Sequence, residues 1–227
     1  MATTRDDFIL LILSSPSGAG KTTLTRLLLE RLPELRFSVS HTTRPPRKGE
    51  VDGRDYRFTD RAHFEKLIEE HAFLEWAEVH GNLYGTAREE VAAAENDPAC
   101  GGLIFDIDYQ GARQIRAKSP DVVGVFILPP SMDELEKRLR GRASDSEEVV
   151  QRRFAVAKRE IEHYALFDYL IVNDHVEKAF DAIKGIVLAQ RSRRGRRAKL
   201  AEALLRTGNV DVSVPSTQPA APQKLTK

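Results

Sequence analysis

Ser14-Ser15-Pro16-Ser17-Gly18-Ala19-Gly20-Lys21-Thr22-Thr23 follows the apolar run Phe8 to Leu13 and precedes the helix-like stretch Leu24 to Arg31. A buried strand, a tight loop and a helix start are, in that order, the parts of a phosphate cradle. Backbone N–H groups and the helix dipole face the anion, Lys21 reaches the β- and γ-phosphates, and the Thr22 hydroxyl can sit on Mg²⁺. Ser15, Pro16, Ser17, Gly18, Ala19, Gly20, Lys21 and Thr22 are therefore the candidates for holding a nucleoside triphosphate. The spacing follows G-x-x-x-x-G-K-[ST] except that Ser15 stands where the first glycine belongs. That departure asks the loop to make its first turn without glycine's freedom at positive φ.

Working outward, Phe8–Leu13, Leu103–Asp108, Val122–Leu128 and Tyr169–Asn173 are short, nearly continuous apolar runs of the kind buried on both faces. Helical patterns separate them: Thr23 to Arg31, about Gln110 to Ala117, Ser131 to about Arg140, about Glu147 to Tyr164, and one from about Glu177. Strand and helix in alternation argue an α/β fold with a parallel sheet covered on both sides. From His41 to Thr59 the character changes: two adjacent prolines, dense positive charge and no helical period. Asp60 can cap a helix to about Glu70, Phe73 to Val79 reads as a strand, Gly81-Asn82 as a turn, and Thr86-Ala87-Arg88-Glu89 as a capping box. Residues 41–96 thus read as a small α+β lobe inserted between core segments 1–40 and 97–190.

The chain has 227 residues and a net charge of +1, which hides an asymmetry. Residues 191–227 carry 9 Lys and Arg against 2 Asp and Glu, so residues 1–190 are net negative by 6. Arg191 to Arg197 is a basic segment, and residues 207–227 are rich in Pro, Ser, Thr and Ala, which predicts a solvated tail disordered at its end. Cys100 is the only cysteine, which excludes an intrachain disulfide and a cysteine-built zinc cluster. The six-residue apolar run behind Asp6 and Asp7 is too short for a signal peptide, and no run has membrane-spanning length. The expectation is a cytoplasmic protein with small-molecule partners, no membrane and no specific nucleic acid; its oligomeric state is left open.

Several segments besides the loop carry a resemblance. Ser40-His41-Thr42-Thr43-Arg44-Pro45-Pro46-Arg47-Lys48-Gly49-Glu50-Val51-Asp52-Gly53-Arg54-Asp55-Tyr56 closely resembles the signature of guanylate kinases. Phe73-Leu74-Glu75-Trp76-Ala77, Tyr84-Gly85-Thr86, Asp106-Ile107-Asp108-Tyr109-Gln110-Gly111, Pro130-Ser131, Arg138-Leu139-x-Gly141-Arg142 and Val172-Asn173-Asp174 continue it in the family's order. The resemblance spans about residues 8–190. It implies a P-loop, three-layer α/β/α parallel-sheet core with an inserted GMP-binding lobe and a mobile lid over about residues 138–153. It implies ATP, Mg²⁺ and GMP (with dGMP as a further acceptor), and a place in purine nucleotide metabolism and GMP recycling.

The same resemblance assigns Arg44, Arg47, Tyr56 and Tyr84 to the GMP phosphate, Glu75 with Ser40 and Thr86 to the base, and Gly85 and Asp106 to the GMP site. Lys21, Arg44, Asp106 and the lid arginines Arg138, Arg142 and Arg153 are its catalytic set, and Asn173 matches the position that touches adenine. The residue chemistry agrees: arginines three apart suit bidentate phosphate contacts, and one carboxylate accepts both guanine N1–H and N2–H. Alternatives stay open at this stage. Each charge can be a solvated surface group, Arg138 and Arg142 can pair with Glu134 or Glu147, and Asp108 competes with Asp106. At the level of the whole chain, a guanylate-kinase-like protein-binding module and a kinase acting on a ribose bisphosphate remain. A GTPase is disfavoured because no Asn-Lys-x-Asp motif occurs.

Overall fold

A computed structural model describes residues 7–79, 81–141 and 146–210. Its centre is β1 (Ile9–Ser14), six residues buried without exception. The other strands are β2 (Leu35–Phe37), β3 (His41–Thr42), β4 (Arg57–Phe58), β5 (Phe73–Val79), β6 (Asn82–Ala87), β7 (Gly102–Asp106), β8 (Val123–Leu128) and β9 (Tyr169–Val172). The helices are α1 (Lys21–Arg31), α2 (Arg61–Glu69), α3 (Arg88–Asn96), α4 (Tyr109–Lys118), α5 (Met132–Arg140), α6 (Glu147–Glu162), α7 (Val176–Arg191) and α8 (Arg194–Thr207). Five strands form a parallel sheet in the order β2-β7-β1-β8-β9.

Helices cover that sheet on both sides. Leu24 and Leu28 of α1 pack with Ala179, Phe180, Ile183 and Val187 of α7 against Leu11, Leu13 and Val125. On the other face Ala112 and Ile115 of α4 pack with Phe8, Phe105 and Phe126. This is the three-layer α/β/α arrangement that unbroken apolar strands require, since neither face of the sheet can meet water. In β1 and β7, Leu13 lies opposite Asp106, so the phosphate loop and the acidic strand end leave the sheet side by side at its carboxyl edge.

The second sheet has the order β4-β3-β6-β5 and is covered by α2, with Phe64 stacked on Phe73 at 4.5 Å between centroids. Asp60 caps α2 as its sequence position predicts, accepting from His63 N–H at 2.7 Å. The capping box expected at Thr86 is not there. Thr86 ends up in β6 with its hydroxyl committed to Glu75, and α3 starts after Ala87 without a side-chain cap. Ala94 and Val91 of α3 pack into the cluster of the main sheet rather than that of the small one.

The basic segment after residue 190 is more ordered than its composition predicts. Arg191 closes α7 and pairs with Glu34 at 2.7 Å, and Arg196 donates to the Phe8 carbonyl at 2.6 Å. Arg194 to Thr207 is helical and ends at Gly208, which takes the left-handed conformation. The expectation of disorder beyond it, over residues 211–227, lies outside the described residues. No helix among the described residues is long and apolar enough to cross a membrane.

Candidate functional site

The phosphate loop is built from backbone. Its left-handed residues are Gly18 (φ +93°) and Gly20 (φ +96°), and the only non-glycine residue at positive φ among the described residues is His71, far from the loop in sequence. Ser15 therefore sits in a conformation open to any residue, so its irregularity costs the turn nothing. Its hydroxyl donates to the Pro16 carbonyl at 3.0 Å. Gly20 begins α1 with no side-chain cap and no acidic residue in the first turn, leaving the amides at the helix start to an anion. The loop already accepts one: Ser17 N–H donates to the Glu160 carboxylate of α6 at 3.1 Å. Thr22 is exposed on the first turn of α1, and Lys21 forms an ion pair with Asp106.

Asn173 does not present its amide to an open cleft. It is buried after β9, where its Nδ2 donates to the Ala19 carbonyl at 2.8 Å and lies against the bare α-carbon of Gly20. Its place braces the loop, which qualifies the expectation that it touches adenine. The two acidic candidates separate cleanly. Asp106 pairs with Lys21, whereas Asp108 caps α4 by accepting from Gln110 N–H at 2.9 Å and Gly111 N–H at 3.1 Å.

In the small sheet, Glu75 is almost wholly buried in β5 and accepts the Thr86 hydroxyl at 2.7 Å, with Ser40 Oγ 3.5 Å from Thr86 Oγ1. Burial pushes the Glu75 carboxyl up to about 7; the Thr86 hydrogen bond resists this and the charge of Asp108 adds to it. Gly111 is needed beside it, because a Cβ there would lie 2.7 Å from Glu75 Oε2. A second group of side chains in the lobe is positive and phenolic. Arg44 makes two bonds to Glu50 at 2.8 and 3.0 Å and lies 5.3 Å from the Tyr56 ring centroid, and Tyr56 meets Tyr84 edge-on at 6.0 Å. Burial works against the Arg44 charge, but the Glu50 hydrogen bonds and charge outweigh it and keep its pKa raised. Tyr56 is pushed up to about 12, by burial first and then by the charge of Asp106. It stays a donor at neutral pH.

Two more of the expected residues lie in this lobe. Arg47 is exposed and contributes its backbone N–H to Glu50 at 2.7 Å. Gly85 lies in β6 where a Cβ would fall 2.9 Å from Phe73 and 3.0 Å from Phe64, so it serves the packing of the lobe. Of the lid set, Arg138 pairs with Glu134 at 2.9 Å and reaches the Asn173 carbonyl at 3.3 Å; Arg153 lies on α6, half-buried. Arg142 lies outside the described residues. Arg140 takes the surface role, bonding Glu136 and Glu147. Glu50 and Gln114 are structural partners that sequence reasoning passed over. An acid six residues past Arg44 inside a basic segment was a usable signal for the first; nothing marked the second.

The loop and the lobe thus each gather groups suited to an anion, and Lys21 of the loop pairs with Asp106 at the end of β7. A family model for guanylate kinase matches residues 9–190. The chain belongs to the guanylate kinase family. It is 53% identical over 193 residues to the guanylate kinase of Bradyrhizobium diazoefficiens, covering 85% of this chain and 87% of that one. The Rhizobium etli guanylate kinase is 53% identical over 190 residues, covering 83% and 86%. The crystal structure of guanylate kinase from Anaplasma phagocytophilum superposes with a TM-score of 0.71 at 33% identity, over 92% of this chain and 99% of that one. A guanylate kinase is a nucleoside monophosphate kinase.

Proposed function

We propose that this chain moves the γ-phosphoryl group of ATP onto GMP, and onto dGMP, in a magnesium-dependent reaction. What supports the assignment of roles is the buried Glu75–Thr86 pair in a lobe that also brings together Arg44, Tyr56 and Tyr84. Guanine offers N1–H and N2–H side by side, and an ionised Glu75 accepts both. Adenine would turn the N1 lone pair toward that carboxylate, a mismatch such sites reject by roughly 10⁴-fold. A protein-binding module or a ribose bisphosphate kinase would have no use for the pair.

The acceptor phosphate lies against Arg44 and the protonated phenols of Tyr56 and Tyr84, with Arg47 at the rim. Glu50 holds Arg44 aimed and already balanced in charge until the phosphate arrives. On the donor side the amides of the loop and Lys21 bind the β- and γ-phosphates, and Asn173 and Gly20 keep the loop in shape. Hard oxygen donors suit Mg²⁺, and the exposed Thr22 hydroxyl would hold it together with the ATP phosphates. Held there, the ion would neutralise negative charge on the ATP phosphates.

An oxygen of the GMP phosphate forms the new bond to the γ-phosphorus as the bond to the β-bridging oxygen breaks and ADP departs. The attacking oxygen is already anionic, so no residue has to remove a proton. Catalysis is positioning and charge neutralisation. Asp106 keeps Lys21 at the seam of the two sites, and Arg138, Arg142 and Arg153 add positive charge from the lid side. The test is a coupled assay of ADP release with ATP and each of GMP, dGMP, AMP, CMP and UMP. GMP and dGMP should support turnover and the others hardly any; ADP release that needs no nucleotide acceptor overturns the reading.

A further inference from the structure

β5 is the outer strand of the small sheet, so alternate residues turn backbone N–H and C=O groups away from β6. An open row of this kind must be covered or left to water. Here α4 covers it with side chains. Gln114 accepts from Trp76 N–H through Oε1 at 3.2 Å and donates from Nε2 to the Trp76 carbonyl at 2.7 Å, pairing with that residue as a neighbouring strand would. One turn on, Lys118 Nζ donates to the Leu74 carbonyl. The residue between these two anchored positions is Glu75.

Gly111, Gln114 and Lys118 follow one another at spacings of three and four, so they share a face of α4. Gly111 meets the Glu75 carboxylate and the other two hold its neighbours. The helix carrying them starts at the Asp108 cap, two residues after Asp106. The base-reading carboxylate is thus placed by the main domain as well as by its own lobe. A carboxylate that must meet two donors at once tolerates little displacement, because hydrogen bonds weaken steeply with distance and angle.

We propose that Gln114 is a positioning residue for acceptor-base recognition: its carboxamide pairs with both backbone groups of Trp76 and holds Glu75 in register with the purine edge. This rests on the reading that Glu75 meets guanine. The carboxamide carries a separate donor and acceptor, so it satisfies both Trp76 groups at every pH. A carboxylate at the same place keeps the bond from Trp76 N–H but sets a negative oxygen against the Trp76 carbonyl.

The test compares Gln114→Ala, Gln114→Glu and Glu75→Gln with the unaltered enzyme, using steady-state kinetics with GMP, inosine monophosphate and AMP. Losing two neutral hydrogen bonds should raise KM for GMP by about 10-fold in Gln114→Ala. KM for ATP should stay within twofold and the preference for GMP over AMP should narrow. Gln114→Glu should be at least as impaired at pH 8, and its GMP KM relative to the unaltered enzyme should approach one as pH falls to 5. Protonation there restores a donor toward the Trp76 carbonyl. The proposal is overturned if both Gln114 variants keep GMP KM and base preference, or if they raise the ATP and GMP constants together as a general loss of structure would. If Glu75→Gln keeps the full preference for GMP, the base-reading assignment falls and takes this proposal with it. If Glu75→Gln loses the preference while the Gln114 variants keep it, only the role of Gln114 is lost.

Discussion

On the proposed function, the donor loop and the acceptor pocket solve the same problem, holding a phosphate, with different materials. The loop uses backbone: two left-handed glycines, an uncapped helix start and a single lysine. The pocket uses side chains already paired with one another, Arg44 with Glu50, Tyr56 with Tyr84, and Glu75 with Thr86. Main-chain donors are the same in every residue, so such a loop recognises phosphate and little else. Buried side chains differ in what they accept, so the pocket can tell one nucleotide from another. The ion pair of Lys21 with Asp106 is the seam between the two.

Removing the lysine should expose that division most strongly. Lys21→Ala should lower kcat by on the order of 10²–10³-fold, the loss typical of one preorganised donor at a developing charge. GMP affinity, measured by calorimetry, should stay within a few fold. A comparable loss of GMP affinity would mean that the two sites are not separable as drawn. On the acceptor side, Glu50→Gln weakens the aim of Arg44 without touching the loop. KM for GMP should rise roughly 10-fold, as for a lost charge-assisted bond, while KM for ATP is unchanged; equal changes in both constants would contradict the pairing as an acceptor device.

The smallest effect expected is on pH dependence. The folded-state pKa of Glu75 is raised to about 7, so the protein favours its protonated form. Its contribution to stability is full below the ordinary carboxyl range and is lost as pH rises through about 7. Relative to Glu75→Gln, the unaltered protein should therefore become less stable in urea between pH 5 and 8. GMP binding should move the other way, because only the carboxylate accepts two donors. The ratio of GMP affinities, unaltered over Glu75→Gln, should grow by several fold across the same range, and this comparison cancels the titration of the GMP phosphate itself. A flat ratio would remove ionised Glu75 from base reading.

How much of this was legible in the sequence follows the same division. Backbone devices leave marks that survive in one dimension: the apolar run into Gly18, Gly20 and Lys21, the Asp60 cap, and the uninterrupted strands of the parallel sheet. The side-chain pairs are contacts between distant positions, and only some left a trace. Thr86 has the spacing of a capping box with Glu89, yet its hydroxyl bonds Glu75 eleven residues back, because the tertiary partner is a buried carboxylate and the local one is not. Asp106 and Asp108 look alike in sequence, yet their offset of two positions puts the second at the α4 start, where it caps, and the first at the end of β7, where it faces Lys21. Asn173 could be placed by resemblance after the last strand, but not beneath Ala19 and Gly20, a contact across 154 positions. The helix Arg194–Thr207 was hidden by basic composition, which reads as a solvated tail until Arg191 and Arg196 are seen fastened to Glu34 and Phe8.

The claim on which the rest depends is that the acceptor pocket chooses the nucleotide through Glu75 while the loop makes no choice among acceptors. The direct measurement is the ratio of kcat/KM for GMP to kcat/KM for AMP, in the unaltered enzyme and in Glu75→Gln, at saturating ATP. The account predicts that the ratio falls by roughly 10²-fold or more, the scale of lost hydrogen bonds to a buried charged group, with KM for ATP unchanged. A ratio that holds in the variant would contradict it.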